Sequence, residues 1–268
     1  MTQLGMPFLL ETPTVEDCCR QARALGLDFV ELNSSFPACA LEALDPGALR
    51  TLAKRYGLFF TLHADEECNP FAFNEEVRQA WMRSLKKTLL LAVDTGMPTV
   101  NMHMARGVYI TLPERRVFMY DRYSDWHMAH VMEVRTLAER ILSGTCTRLC
   151  IENTEGFMPH EQAALEALLK SPCIGLTLDI GHDHATQNRD LSFYEAHHAK
   201  LWHMHGHDAI GTHPHLALDE GEMDWRTRFA MAQRCNARIV LEVKTLDALR
   251  RSVPLARAAL ASAKEERS

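Results

Sequence analysis

The 268-residue chain lacks the features of membrane proteins and of secreted, disulfide-rich proteins. No stretch approaches the roughly 18 consecutive apolar residues that a membrane span requires. The N-terminus, MTQLGMPFLLETP, has neither a basic leader nor a long apolar run, so we expect no signal peptide and a cytoplasmic location. The eight cysteines include no C-x-x-C pair, which favours reduced, mostly buried thiols.

The chain also lacks an excess of positive charge. Its 29 Lys and Arg residues are interspersed with 35 Asp and Glu residues, and the net charge is −6. Because phosphate neutralisation dominates affinity for nucleic acids, this balance disfavours nucleic acid and anionic membranes as partners. We expect a small-molecule substrate and leave open whether the chain forms a homo-oligomer.

Short apolar runs alternate with longer helical patterns along the whole chain. We predict strands in FLL (8–10), DFVELN (28–33), LFFTLHA (58–64), TVNMHM (99–104), RLCIENT (148–154), IGLTLDIGH (174–182), KLWHMHGHD (200–208) and RIVLEVK (238–244). Thr14 is placed to cap the first helix and Gly26 to end it. Eight strands, each followed by a helix, predict one α/β domain over residues 1–268, a (β/α)₈ TIM barrel. An open, doubly wound sheet is the alternative.

The two-residue alternation within the strands predicts which side chains face the barrel lumen. Six strands are expected to bring an acidic or imidazole side chain to the lumen near their C-terminal ends: His63, His103, Glu152, Asp179, His205 and Glu242. TIM-barrel enzymes carry their active sites at this end of the barrel.

Four of these residues, Glu152, Asp179, His205 and Glu242, lie on the last four predicted strands. Carboxylates cannot face one another in a low-dielectric lumen unless a positive charge lies between them or protons are taken up. A single such carboxylate is more often paired with a basic residue, for which Lys244 is available, but four at matching strand ends favour a metal site. The mainly oxygen ligand set suits Mn²⁺, Mg²⁺ or Co²⁺.

Five histidines lie close together in LWHMHGHDAIGTHPHLALDEGEMDW (201–225). We predict that His205 is a metal ligand. For His203 and His207 we expect structural roles, one in the barrel core and the other at the rim.

The segments IENTEGF, LDIGH, HGHD, HPHLALDEGEMDW and LEVK together resemble the xylose isomerase-like TIM-barrel superfamily. This group includes sugar isomerases, ketose 3-epimerases and the endonuclease IV class of nucleases. The resemblance covers nearly the whole chain and is strongest over 148–244. It implies a divalent ion (Mn²⁺, Co²⁺, Mg²⁺ or Zn²⁺) held by Glu152, Asp179, His205 and Glu242, with no organic cofactor.

The nuclease-type members of the superfamily hold three metals. Their extra ligands correspond here to His63, His103, His182 and His215. The chain departs from their D-x-H motif, since His213 stands where those proteins have aspartate, and Asp219 replaces an expected glycine. Imidazole can ligate zinc as aspartate does, so His213 stays a candidate ligand.

Two functions follow from the resemblance. The first is a metal-dependent isomerase or epimerase of a small sugar, sugar phosphate or related polyhydroxy carbonyl compound, acting through a metal-stabilised enediolate. In that reaction Glu152 and Glu242 are expected to exchange a proton with the substrate, and His182 to orient a substrate hydroxyl. The alternative, favoured by the extra histidines, is an endonuclease IV-like zinc hydrolase with two or three metals and a phosphoester-type substrate.

The segment ARGVYITLPERRVFMYDRY, over 105–123, contains several arginines among aromatic residues. It is either a lid that closes over a substrate phosphate or carboxylate, or a hairpin packed on the barrel rim with solvated arginines. We favour the hairpin.

Overall fold

Eight parallel strands form a closed barrel in the computed structural model, which describes residues 2–265. They are β1 (Leu4–Pro7), β2 (Phe29–Asn33), β3 (Phe59–His63), β4 (Thr99–His103), β5 (Arg148–Glu152), β6 (Ile174–Asp179), β7 (Leu201–Gly206) and β8 (Arg238–Leu241). Each strand pairs with the next along the chain, and β1 pairs with β8. The prediction of a (β/α)₈ barrel is confirmed, and the closure excludes an open sheet.

Helices connect the strands around the outside of the barrel. Within residues 2–265 they are α1 (Val15–Ala24), α2 (Pro46–Tyr56), α3 (Glu75–Thr95), α4 (Met119–Arg122), α5 (Ser124–Leu142), α6 (Pro159–Leu169), α7 (Ile180–Ala185), α8 (Leu191–Ala196), α9 (Trp225–Cys235) and α10 (Leu246–Glu265). Thr14 caps α1 as predicted, since its side chain accepts the backbone N–H of Asp17. Helix α1 ends just before Gly26, which has a left-handed φ of +66°.

The prediction of the first strand in FLL was wrong, because β1 lies earlier, at Leu4–Pro7. Gly5 faces inward in this strand, and a Cβ there would come within 2.5 Å of the ring of Phe29. The FLL segment instead forms the start of the following loop, where Leu10 is 84% exposed. The apolar run therefore lies at the rim of the barrel. In β1 the inward position is taken by Gly5, which has no side chain, so the sequence showed no alternation there.

Aromatic rings fill part of the barrel interior below the polar residues. Phe29 on β2 stacks on Phe59 of β3 with 5.0 Å between ring centroids, and it lies 6.1 Å from the ring of His203 on β7. Leu149 and Ile151 of β5 join the core that includes the helices, as the alternation predicted.

The segment over 105–123 contains the predicted hairpin. Tyr109–Thr111 pairs in antiparallel fashion with Arg116–Phe118, and the guanidinium of Arg116 lies 4.8 Å from the ring centroid of Tyr109. Arg115 and Arg116 are exposed. Arg106 differs, because it contacts the carboxylate of Glu155 at 2.7 Å.

All eight cysteines lie in the described part of the chain and none is paired in a disulfide, and six of them are buried, as expected. None of the helices over residues 2–265 has both the length and the apolar character needed to cross a bilayer.

We expect Phe29→Ala to lower the free energy of unfolding by about 3–5 kcal/mol, because it opens a cavity inside the barrel. Leu10→Ala is the control, and as a change at an exposed site it should shift the same quantity by no more than about 0.5 kcal/mol. Urea denaturation followed by circular dichroism measures both. Equal midpoints for the two variants would show that the aromatic layer does not support the barrel.

Candidate metal centre

Four side chains meet at the C-terminal mouth of the barrel. Glu152 ends β5, Asp179 ends β6, His205 lies in β7 and Glu242 directly follows β8. Each offers one potential ligand atom, and these four atoms all lie within 4.8 Å of one another. Nδ1 of His205 is 2.8 Å from Oε2 of Glu242, 3.2 Å from Oε1 of Glu152 and 3.9 Å from Oδ2 of Asp179. The four residues predicted from the strand ends therefore share one centre.

Charge and burial at this centre oppose each other. Glu152, Asp179 and His205 are buried, and the side chain of Glu242 is 17% exposed. Burial disfavours ionisation of Glu152, but the attraction of His205 and His103 outweighs it and holds the pKa of Glu152 well below its usual value. Burial likewise opposes the charge on His205, yet the surrounding carboxylates raise its pKa well above the ordinary range. The carboxylates of the centre therefore favour positive charge at His205.

The donor set fits a divalent cation. Nδ1 of His205 is buried and has no hydrogen-bond partner among residues 2–265, although three carboxylates surround it. It lies at ion-pair distance from Glu242 and Glu152 without the geometry of a hydrogen bond to either, which is the arrangement expected of a nitrogen and oxygens that share a cation. Three carboxylates and one imidazole form an oxygen-rich set that suits Mn²⁺, Mg²⁺, Co²⁺ or Zn²⁺.

Glu31 on β2 bonds His205 at Nε2, the ring nitrogen that does not face the other carboxylates, and the sequence did not predict this contact. Its Oε1 lies 2.7 Å from Nε2 of His205, and its Oε2 lies 2.8 Å from Nε2 of His203 and accepts the hydroxyl of Thr61 at 2.9 Å. Because a carboxylate only accepts, Nε2 of His205 carries the ring hydrogen and Nδ1 is free to bind. The prediction considered only side chains near the C-terminal ends of the strands, although Glu31 also alternates inward.

Asn101 on β4 was missed for the same reason. It is fully buried and its side-chain amide donates a hydrogen bond to Oε2 of Glu152. This bond leaves Oε1 of Glu152 as the oxygen closest to His205.

Three histidines at the mouth are fixed by backbone carbonyl groups. Nδ1 of His63 lies 2.6 Å from a carbonyl oxygen, that of His182 lies 3.1 Å from one, and that of His215 lies 3.0 Å from the carbonyl oxygen of Glu242. A carbonyl oxygen only accepts, so each ring donates from Nδ1, and Nε2 is the ring nitrogen left for another partner. Burial lowers the pKa of His215 to about 4, so its Nε2 offers a lone pair. This arrangement is typical of histidines that bind a metal or a substrate hydroxyl.

His63 and His103 form a second possible ligand group with Glu152. Their Nε2 atoms lie 3.4 Å and 3.7 Å from Oε2 of Glu152, and the two rings meet edge to face at 4.8 Å. Glu152 therefore lies between this pair and the four-residue centre.

The protein-family model described as "Xylose isomerase-like TIM barrel" matches residues 19–265. The chain belongs to this family.

Solved structures show the same fold. A D-tagatose 3-epimerase-like protein has a TM-score of 0.78 at 21% identity, with 99% of this chain and 100% of that chain covered. An L-ribulose 3-epimerase has a TM-score of 0.77 at 15% identity, covering 99% and 97%. A protein from Thermus thermophilus soaked with ZnCl₂ has a TM-score of 0.72 at 20% identity, covering 97% and 98%. The comparison with curated proteins finds no match.

The structure does not bring every histidine of the xylose isomerase-like motifs to the mouth. His213 is exposed in a hairpin formed by Asp208–Ile210 and His213–Leu216, and it belongs to no possible ligand group within the described residues. His215, two residues later, does reach the site and lies 3.9 Å from Oε1 of Glu242.

The structural roles expected of His203 and His207 are met only in part. His203 is a buried barrel-core residue bonded to Glu31. His207 is not an exposed rim residue, because it is fully buried and its Nε2 lies 3.2 Å from both oxygens of Asp179. The hairpin that covers His207 is what the sequence did not reveal.

We expect Glu31→Gln to weaken Zn²⁺ binding by about 10–100-fold, because the amide cannot accept hydrogen bonds from both histidine rings. Competition against a coloured chelator measures this affinity. Glu161→Gln is the matched control, since Glu161 is as deeply buried but lies in α6 outside the centre. Equal affinities for Glu31→Gln and the control would show that Glu31 does not support the centre.

Zn²⁺ binding should release protons, since the raised pKa of His205 means that a cation must displace the proton held there. Affinity is therefore expected to rise as the pH rises from 6 to 8. Titration calorimetry at one pH in two buffers with different heats of ionisation gives the number of protons released. The same heat in both buffers would contradict this assignment.

Proposed function

We propose that this protein is a divalent-metal-dependent isomerase or epimerase of a small sugar, sugar phosphate or related polyhydroxy carbonyl compound. The observation that carries the proposal is the arrangement of Glu152 and Glu242 around His205. Each carboxylate turns one oxygen toward Nδ1 of His205, at 3.2 Å and 2.8 Å, and the other oxygen away from it. One oxygen of each is thus placed to bind a cation while the second can exchange a proton with a substrate.

A cavity of about 270 Å³ opens beside Glu242. This volume is just below the roughly 300–1,000 Å³ that ligand sites occupy, which supports a small substrate. Polar side chains of Asn33, Glu66 and Lys244 line it together with the apolar rings of Phe8 and Phe36. Hydroxyl groups of a polyhydroxy compound could bond the polar side while its carbon-bound hydrogens face the rings.

Each protein group has a defined part in the proposed reaction. Glu152, Asp179, His205 and Glu242 would hold the cation, which would stabilise negative charge on the substrate oxygens as a neighbouring carbon loses its proton. Oε1 of Glu242 lies 2.7 Å from Nζ of Lys244. Burial opposes the charge on Glu242, but His205 and this ion pair outweigh it and hold the pKa of Glu242 well below its usual value, so the group is an ionised carboxylate.

His182 would orient a substrate hydroxyl. Its Nδ1 donates to the carbonyl oxygen of Asn153, so Nε2 is the ring nitrogen left to bond the hydroxyl. Its side chain also lines a groove that includes His103. A substrate bound between Glu242 and His182 would therefore contact groups on both sides of the centre.

The names of two similar structures, a D-tagatose 3-epimerase-like protein and an L-ribulose 3-epimerase, agree with this proposal. The structure soaked with ZnCl₂ is consistent with a divalent ion in the family. We also propose that the barrel is a single domain that binds its metal without an organic cofactor.

A zinc hydrolase of phosphoester-type substrates is the second candidate. The group of His63, His103 and Glu152 favours it, because this group could hold a second metal beside the first. The third centre of a trinuclear site is disfavoured, since His213 is exposed and belongs to no possible ligand group among the described residues.

Solvent exchange tests the first proposal. The protein with Mn²⁺ is incubated in D₂O with a panel of ketopentoses and ketohexoses and their phosphates, and proton NMR follows deuterium entering the carbon next to the carbonyl. Bis(p-nitrophenyl) phosphate is tested in parallel. Cleavage of this ester without any exchange would favour the hydrolase.

We predict that Glu152→Gln abolishes exchange and leaves the barrel folded, because the amide cannot exchange the proton. Glu195→Gln, at an exposed position of α8 outside the centre, is the control and should keep full activity. Circular dichroism checks the fold of both. Full turnover by Glu152→Gln would remove this carboxylate from the mechanism.

A further inference from the structure

His207 differs from the other histidines at the mouth in the direction of its ring nitrogens. Its Nδ1 accepts the backbone N–H of His215 at 2.9 Å. A backbone N–H always carries its hydrogen, so Nδ1 of His207 must offer a lone pair there. The carbonyl oxygen of Asp208 lies 3.2 Å from the same Nδ1, but a hydrogen placed on Nδ1 to bond it would collide with the N–H of His215.

Nε2 of His207 therefore carries the ring hydrogen, and this hydrogen points at Asp179. The nitrogen lies 3.2 Å from Oδ1 and 3.2 Å from Oδ2, so both oxygens share the donor. A ring nitrogen that carries a hydrogen has no lone pair for a cation. His207 is close enough to His215 and Glu242 to be counted with them as a possible ligand group, but its hydrogen bonds exclude that role.

The surrounding backbone holds the ring in this orientation. A Cβ at Gly181 would come within 1.9 Å of Cε1 of His207, so no larger residue fits beneath the ring. His215 adopts a left-handed conformation with φ of +66°, which is uncommon for a residue other than glycine. The carboxylate of Asp208 accepts three backbone N–H bonds from the loop that carries His215 and so anchors it.

The hydrogen bonds leave Asp179 one oxygen for the centre. Oδ1 accepts the backbone N–H of His182 at 2.7 Å as well as part of the His207 hydrogen bond. Oδ2 accepts the rest of that bond and is the oxygen near Nδ1 of His205, at 3.9 Å. Since a carboxylate has about four lone-pair positions, Oδ2 keeps one that can face a cation.

We propose that His207 is a positioning residue that donates a hydrogen bond to Asp179 and so presents Oδ2 to the metal, without being a ligand itself. This inference rests on the metal centre that underlies the proposed function. Removing a hydrogen-bond partner of this kind typically weakens metal binding by about 10–100-fold.

Two substitutions distinguish the hydrogen bond that His207 donates to Asp179 from the one that it accepts from His215. In His207→Asn the side-chain oxygen can still accept the N–H of His215, but no donor reaches Asp179. In His207→Gln the longer side chain can place an N–H near the position of Nε2 and restore the donation. The two variants thus differ mainly in the hydrogen bond to Asp179.

Zn²⁺ affinity, measured by competition with a coloured chelator, is the readout. We expect His207→Asn to bind Zn²⁺ about 10–100-fold more weakly and His207→Gln to stay close to the unchanged protein. An equal loss of Zn²⁺ affinity in both variants would identify His207 as a ligand. A loss of affinity confined to His207→Gln would show that His207 acts by accepting the N–H of His215 in the hairpin. No loss in either would leave it without a role at the centre. Each of these three results overturns the proposal.

NMR of the unchanged protein gives a second test that does not depend on the variants folding. Nitrogen-15 shifts of labelled histidines show which ring nitrogen carries hydrogen, and we expect Nε2 of His207 to keep it with and without Zn²⁺. Loss of that hydrogen on adding Zn²⁺ would overturn the positioning role alone. Failure of the unchanged protein to bind Zn²⁺ would instead overturn the metal centre and, with it, the proposed function.

Discussion

Three carboxylates, two of them buried, share a single imidazole at the mouth of the barrel. Glu31 bonds Nε2 of His205 at 2.7 Å, while Glu242 and Glu152 approach its Nδ1 at 2.8 Å and 3.2 Å. Such a concentration of negative charge in a low-dielectric interior is unstable without a positive partner. Although His205 is buried, the carboxylates raise its pKa, so they favour positive charge on its ring, and a divalent cation would supply more of it. The centre is therefore built around the compensation of charge.

The barrel explains how residues far apart in sequence reach one point. Parallel strands end at the same edge, so Glu152, Asp179 and Glu242 arrive together at the ends of β5, β6 and β8. The supporting residues come from the first four strands, with Glu31 on β2 across the lumen and Asn101 on β4, which pairs with β5. The candidate ligands and the residues that bond them are thus brought together by the closure of the sheet into a barrel.

Sequence patterns predicted the parts that depend on local chemistry. Helix α1 lies between the predicted Thr14 and Gly26, because the side chain of Thr14 caps its first turn and Gly26, just after its end, adopts a left-handed conformation. The contacts that the patterns did not predict depend on distant residues. Glu31 is important only because His205 lies across the lumen, which no local signal records.

The histidine-rich segment shows the same limit within a few residues. His213 and His215 are two positions apart, but the first is exposed and the second lies over the buried His207. The left-handed φ of His215 and the anchoring of the loop separate them, and neither can be deduced from residue types.

Anomalous diffraction from crystals grown with Mn²⁺ tests the central claim most directly. The account predicts a peak about 2.0–2.3 Å from an oxygen of Glu152, Asp179 and Glu242 and from Nδ1 of His205. A peak bound elsewhere, or no peak with these four side chains still clustered, would contradict it.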